Sequence, residues 1–218
     1  MSSQTLLLFA GQGSRTIFSD ASAKSLLQRI EQHQEASQLL QRCHEAFLKD
    51  VSTFTNHDRE ILAEEDARLL AKPDDLVKPF PVLAENPVIQ ACTLYLHQIL
   101  EYVLYASSEE GKETSKTISE AAGFCSGILP SLVIAVDAAT ESPEFVKYAV
   151  GSFRLAFWIS LRSALYSKAI AGSAWRDLPW SLVIAGISRQ DLETILTEND
   201  SNVSFTFFFT DENIQERG

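Results

Sequence analysis

Hydrophobic and polar positions along the chain alternate between two periodicities. Residues 5–10, Thr5-Leu6-Leu7-Leu8-Phe9-Ala10, form a continuous apolar run that stops at Gly11-Gln12-Gly13-Ser14. A short run of this kind, closed by glycines, predicts a strand buried on both faces, as in a parallel sheet. The pattern then becomes helical. Over residues 23–49 the apolar positions Leu26, Leu27, Ile30, Leu39, Leu40, Ala46, Phe47 and Leu48 recur among Gln, Glu and Arg, which predicts one long amphipathic helix or two broken ones. A loop at 51–57, a short acidic helix at 58–70 and an extended connection at 72–84 follow, the last set by Pro73, Pro79 and Pro81. Asn86-Pro87 caps and starts a helix whose apolar positions, from Val88 to Val103, wrap most of its circumference, so it is expected to be largely buried.

Beyond a polar loop at 105–116, the small-residue stretch 117–122 reads as a strand end and 128–139 as an apolar helix packed on a sheet. Glu141 and Pro143 open a long helix over 145–171, which Gly151 and Ser152 are placed to bend. A strand at 180–186, a helix at 189–197 capped by Ser188, and a second strand at 202–209 complete the reading. The fold class is α/β.

Composition narrows the function classes. The chain has 218 residues, 45% hydrophobic and 22% charged, which fits a soluble globular protein of one domain or little more. A formal net charge of −11 disfavours nucleic acid or an anionic membrane as partner, since both are polyanions. Cys43, Cys92 and Cys125 are too few and too scattered for a disulfide framework or a metal site. No stretch approaches the ~20 apolar residues that span a bilayer, and the N-terminus lacks a secretory signal, so the expected location is cytoplasmic.

The candidate chemistry sits at Gly123-Phe124-Cys125-Ser126-Gly127. G-x-C-x-G has the spacing of a nucleophile elbow, in which a strand reverses into a helix so sharply that the residues two before and two after the apex must be small. Cys125 would then be a nucleophile at a helix N-terminus, where exposed N–H groups favour the thiolate. The Ser126 N–H would face a developing oxyanion. The competing reading is a simple turn with a core cysteine. Likewise the Gly11-Gln12-Gly13-Ser14 loop, at the carboxyl end of the first strand, is either a tight turn or the source of a second oxyanion donor, the Gln12 N–H. Gly11, Gly13 and Phe124 flank these groups as candidate substrate contacts.

Leu-Leu-Phe-Ala-Gly-Gln-Gly-Ser followed far downstream by an elbow resembles the acyl-carrier-protein transacylases. The cysteine elbow Gly-Phe-Cys-Ser-Gly-Ile-Leu-Pro is most similar to the starter-unit transacylase domain of fungal non-reducing polyketide synthases. The resemblance implies a hydrolase-like parallel sheet with flanking helices, incomplete here, over 1–178. Residues 179–218 would be the truncated first part of a small ferredoxin-like subdomain. It implies transfer of a starter acyl group from an acyl thioester, on coenzyme A or a fatty-acid synthase carrier, through an acyl-cysteine to the phosphopantetheine of an acyl carrier protein. Acyl-CoA and phosphopantetheine enter as substrates, with no bound cofactor and no metal; other synthase domains are further expected partners.

Malonyl-specific relatives carry an arginine on the long helix. Arg154 and Arg162 are read here as ordinary surface charges, and Phe153, Phe157 and Trp158 as favouring an apolar acyl chain. The family's histidine base lies downstream of the small subdomain. The four histidines of this chain, His33, His44, His57 and His97, all precede Cys125; His33 and His44 are read as surface or half-buried helix residues and His97 as a core or rim residue. The expectation is a fragment with impaired transfer, or a non-catalytic transacylase-like interaction module.

Overall fold

The computed structural model describes residues 5–11, 19–78, 80–115 and 118–172, together with Thr194. Apart from Thr194 these belong to the first of two compact units, Met1–Trp175; the second is Arg176–Gly218. The strand–helix–strand read at 180–209, and with it the small subdomain, lies outside the described residues.

Two parallel strands form the sheet: β1, Thr5–Phe9, and β2, Ile118–Gly123. Phe9 pairs with Gly123, so the two strands end in step. Leu7 and Phe9 pack towards the core, whereas Leu6 and Leu8 face outward, Leu8 at 74% exposure. The apolar run of β1 is therefore covered on one face only among the described residues, which corrects the expectation of burial on both.

Helices make up most of the rest. The apolar stretch at 23–49 is two helices, α1 (Asp20–Glu31) and α2 (Gln34–Ser52). The break falls at His33, whose Nδ1 accepts the Ala36 N–H at 3.3 Å and so caps α2. The acidic segment after α2 is a 3-10 turn, Asp58–Glu60, and then α3, Glu64–Arg68. The proline connection is not extended. It contains two 3-10 turns, Pro73–Leu76 and Pro81–Leu83, each with proline where a missing N–H costs nothing.

α4, Pro87–Ala106, begins as its sequence implies, with the Asn86 side chain accepting from Val88 and Ile89 N–H and donating to the Ile61 carbonyl. It is the central helix, packed against α1, α2 and α7. Residues 109–115, read as loop, form α5, Glu109–Ser115. α6, Ile128–Val136, lies against both strands, and α7, Pro143–Ala171, continues through Gly151 for 29 residues.

The core lies between α2, α4 and α7. Phe47, Phe145, Phe153 and Phe157 are fully buried there. Phe157 meets Phe47 edge-on and Phe54 stacked, both at 5.7 Å between ring centres. Each buried phenylalanine contributes about 1.5–3 kcal/mol. The architecture is α/β in composition, a small parallel sheet carried by a mainly helical body.

Candidate functional site: a strand–cysteine–helix elbow

β2 leaves its last paired residue, Gly123, through an extended Phe124 and turns at Cys125. Cys125 has φ +55°, the one positive φ at a non-glycine among the described residues. This left-handed conformation costs a side-chain-bearing residue on the order of 1–3 kcal/mol and persists only where its surroundings impose it. Two hydrogen bonds do so here. Phe124 N–H donates to the Phe9 carbonyl and Gly127 N–H to the Phe124 carbonyl, both at 3.0 Å. A 3-10 turn over Cys125–Gly127 then runs directly into α6.

The flanking glycines are demanded by contact. A Cβ on Gly123 would stand 2.0 Å from the Gly127 carbonyl oxygen, and one on Gly127 would stand 2.3 Å from the Phe9 carbonyl oxygen. Because the strands end in step, the second residue beyond each pair, Gly11 and Cys125, also meet. A Cβ on Gly11 would lie 2.7 Å from the Cys125 Cβ. The opening loop's first glycine is thus the residue that lets the chain pass beside the thiol.

Cys125 is exposed, whereas Cys43 and Cys92 are buried. Burial pushes both buried thiols far above their ordinary range, with Cys92 adding to the effect on Cys43 and Asp50 to that on Cys92. Of the three, Cys125 alone is placed to react with a solute, which removes the core-cysteine reading. Phe124 beside it is 57% exposed. Ser126 follows within the turn, its Oγ buried and without a hydrogen-bond partner. Gln12 and Gly13 lie outside the described residues. Gln98 of α4 was not singled out by sequence, yet its Nε2 donates to the carbonyl of Ala10, the residue before Gly11. One glutamine on an apolar helix gives no pattern to read.

The four histidines are engaged elsewhere. His33 caps α2. His44 Nε2 lies 2.9 Å from the Leu70 carbonyl, and the ring is buried rather than at the surface. His97 Nε2 lies 3.2 Å from the Val77 carbonyl. Burial pushes its pKa down, against smaller opposing effects of that carbonyl and of Glu101. His57 Nδ1 lies 3.2 Å from Glu60.

Arg154 and Arg162 are more than surface charges. Arg154 makes a two-pronged pair with the buried Asp50, at 2.8 and 2.7 Å, and Arg162 donates to the buried Asp58 at 2.8 Å. Both guanidinium groups thereby tie α7 to the α2 region. Phe153 and Phe157 are core residues with no exposed surface and Trp158 is half-buried, so the two phenylalanines line no open acyl site. An open groove of about 720 Å³ between α1 and residues 74–80 includes no elbow residue, and its lining carries both signs of charge, Lys24 and Lys78 with Asp20, Glu31 and Asp74. Among the described residues no three His, Cys, Asp or Glu side chains gather as metal ligands, and no helix is long and apolar enough to cross a membrane.

The fold and site thus define an α/β protein organised around a strand–cysteine–helix elbow. Residues 7–206 match the profile described as starter unit:ACP transacylase in aflatoxin biosynthesis, and the chain belongs to that family. It is 32% identical over 200 residues to an orsellinic acid synthase of Beauveria bassiana (strain ARSEF 2860), covering 87% of this chain and 8% of that protein. It is 32% identical over 207 residues to orsellinic acid synthase ArmB of Armillaria ostoyae, and 28% over 210 residues to its namesake in Armillaria mellea, each covering 87% of this chain and 9% of the relative. The chain therefore spans less than a tenth of the length of these curated relatives. No solved structure matches it.

Proposed function

We propose that this chain carries the nucleophile of a starter-unit acyl transfer in polyketide assembly. The Cys125 thiolate attacks the carbonyl carbon of an acyl thioester on coenzyme A or a fatty-acid synthase carrier. The carbonyl oxygen takes negative charge against the N–H groups of Ser126 and Gln12, and the donor's C–S bond then breaks, releasing its thiolate to be protonated. The acyl-cysteine is next attacked by a carrier protein's phosphopantetheine thiol, which takes the acyl group and restores Cys125. In this reading the fold is the hydrolase-like transacylase sheet with flanking helices, and residues 179–218 begin the small ferredoxin-like subdomain. Gly11, Gly13 and Phe124 line the approach to the thiol. The reaction is placed in the cytoplasm.

The observation that carries the proposal is the exposed Cys125 at φ +55° between glycines that only a missing Cβ allows. The arginines support a neutral acyl chain over a dicarboxylic one, because each already binds a buried aspartate. A base is needed to move the thiol protons, and the four histidines have other partners. Loss of a general base costs about 10²–10⁴-fold in rate, so slow self-acylation without efficient turnover is expected of this chain alone.

Intact-mass analysis with a short-chain acyl-CoA tests this. One acyl adduct, absent from Cys125→Ala and retained when Cys43 and Cys92 are replaced, is the expected result. No adduct, or equal labelling of all three cysteines, overturns it. The engaged histidines also favour a second reading, a non-catalytic module that docks a carrier domain. Carrier binding unchanged by Cys125→Ala, with no adduct in the parent chain, would select that reading.

A further inference from the structure

We propose that Gln98 is a positioning residue for the elbow: its side-chain amide pins the Ala10 carbonyl and so holds the Gly11 backbone against Cys125. The inference rests on reading Cys125 as the nucleophile.

Gln98 Nε2 donates to the Ala10 carbonyl across 88 residues of sequence, joining the central helix α4 to the point where β1 ends. The same carbonyl oxygen lies 2.7 Å from where a Gly127 Cβ would stand. It is therefore bracketed between the glutamine amide on one side and the exit of the elbow on the other. The next residue, Gly11, abuts the Cys125 Cβ. One side-chain hydrogen bond thus fixes the distance between the opening loop and the nucleophile.

The orientation of the amide is unambiguous, because a flipped amide would face the Ala10 oxygen with its own oxygen. In the observed orientation Gln98 Oε1 is buried and has no partner. It and Ser126 Oγ are the two buried side-chain polar atoms left without a hydrogen bond among the described residues. One belongs to the residue that holds the opening loop and the other to the residue that follows Cys125. The donor end of the same amide is committed to the Ala10 carbonyl.

The consequence is specific to attack on a carbonyl. Acyl transfer needs the loop donors aligned with the developing oxyanion, whereas alkylation by iodoacetamide needs only a reachable thiolate. The ratio of Cys125 acylation by acyl-CoA to its alkylation is thus a measure of placement that is independent of thiolate content. In Gln98→Met, which keeps length without the hydrogen bond, this ratio should fall about 10- to 100-fold, with alkylation nearly unchanged. In Gln98→Glu the ratio should recover as pH falls and the carboxyl gains a proton to donate to Ala10.

Hydrogen–deuterium exchange supplies an arm that needs no acylation. Peptides covering 6–11 and 123–128 should exchange faster in Gln98→Met, with α2 and α7 unchanged. If the parent chain is alkylated but never acylated, the proposed function fails, and the exchange arm still decides whether Gln98 pins the loop. If the parent is acylated and Gln98→Met keeps its ratio within about twofold, or if exchange near the elbow is unaltered, Gln98 has no positioning role.

Discussion

Gly123→Ala places one methyl group where the elbow has no space. Its Cβ would stand 2.0 Å from the Gly127 carbonyl oxygen and 2.5 Å from the Ile128 nitrogen, both backbone atoms that no rotamer change can move aside. Ordinary contact requires more than an ångström of extra separation. The turn cannot widen freely, because the Phe124 and Gly127 hydrogen bonds fix its two ends. The substitution should cost about 3 kcal/mol, the upper end for an added core methyl group, which lowers Tm by roughly 6–12 °C for a chain of this size. Gly151→Ala is the matched control. That glycine lies inside α7 with nothing within 4 Å of its added Cβ, so replacing it should stabilise by about 0.5–1 kcal/mol and raise Tm by roughly 1–4 °C. Thermal melts followed by circular dichroism, with Cys125 labelling by iodoacetamide in parallel, give both signs. A Gly123→Ala protein that melts within about 2 °C of the parent and labels at its rate would refute the elbow geometry.

Cys125→Gly should abolish the acyl adduct yet stabilise the chain by about 1 kcal/mol, since glycine accepts φ +55° without strain; a melt below that of Cys125→Ala would count against the strain. Arg154→Met leaves the Asp50 carboxylate, 5% exposed, without its cation, whereas Asp50→Asn leaves a guanidinium that is 48% exposed to water. Urea denaturation should therefore show the arginine substitution to be the costlier, by about 3 kcal/mol against 1–2, and equal losses would contradict the assigned burial. His97 has a lowered folded pKa, so below the ordinary histidine value of about 6.5 the unfolded chain binds the extra proton. The stability from keeping this ring neutral is complete above that pH and is lost as pH falls below it through the lower folded value; His97→Gln should flatten the dependence below about pH 6.5.

Where local chemistry decides conformation, the sequence was readable. Asn86-Pro87 started α4 as a cap and a first-turn proline must, and the room around Cys125 was legible in Gly123 and Gly127, whereas the close approach of Gly11 was not. Where tertiary partners decide, it was not. The break between α1 and α2 rests on a histidine acting as cap, a role usually filled by smaller side chains. Pro73 and Pro81 gave 3-10 turns rather than extended chain because proline's fixed φ suits a helical first turn equally well. Arg154 and Arg162 looked like surface charges because their partners, Asp50 and Asp58, are 104 residues away in sequence. Gln98 was invisible for the same reason. Its significance lies in a contact with Ala10, and nothing in the periodicity of α4 marks it.

Stability and reactivity are carried by different parts of this chain. The aromatic core, Phe47, Phe54, Phe153 and Phe157, joins α2 to α7 and is sealed from solvent at its centre. The elbow is the reverse: a strained cysteine, exposed apolar neighbours at Phe124, Ile128 and Leu132, and glycines where side chains would add packing. Such a turn contributes little to stability and must be imposed by what surrounds it. Gln98 links the two regions, since it stands on the helix most deeply embedded in the core and grips the backbone beside the thiol. On the positioning proposal, the core would serve the chemistry by holding α4, and through Gln98 the Ala10 carbonyl, in place. If Cys125 carries the acyl group as proposed, selection among acyl groups would fall to the residues around it rather than to the buried Phe153 and Phe157.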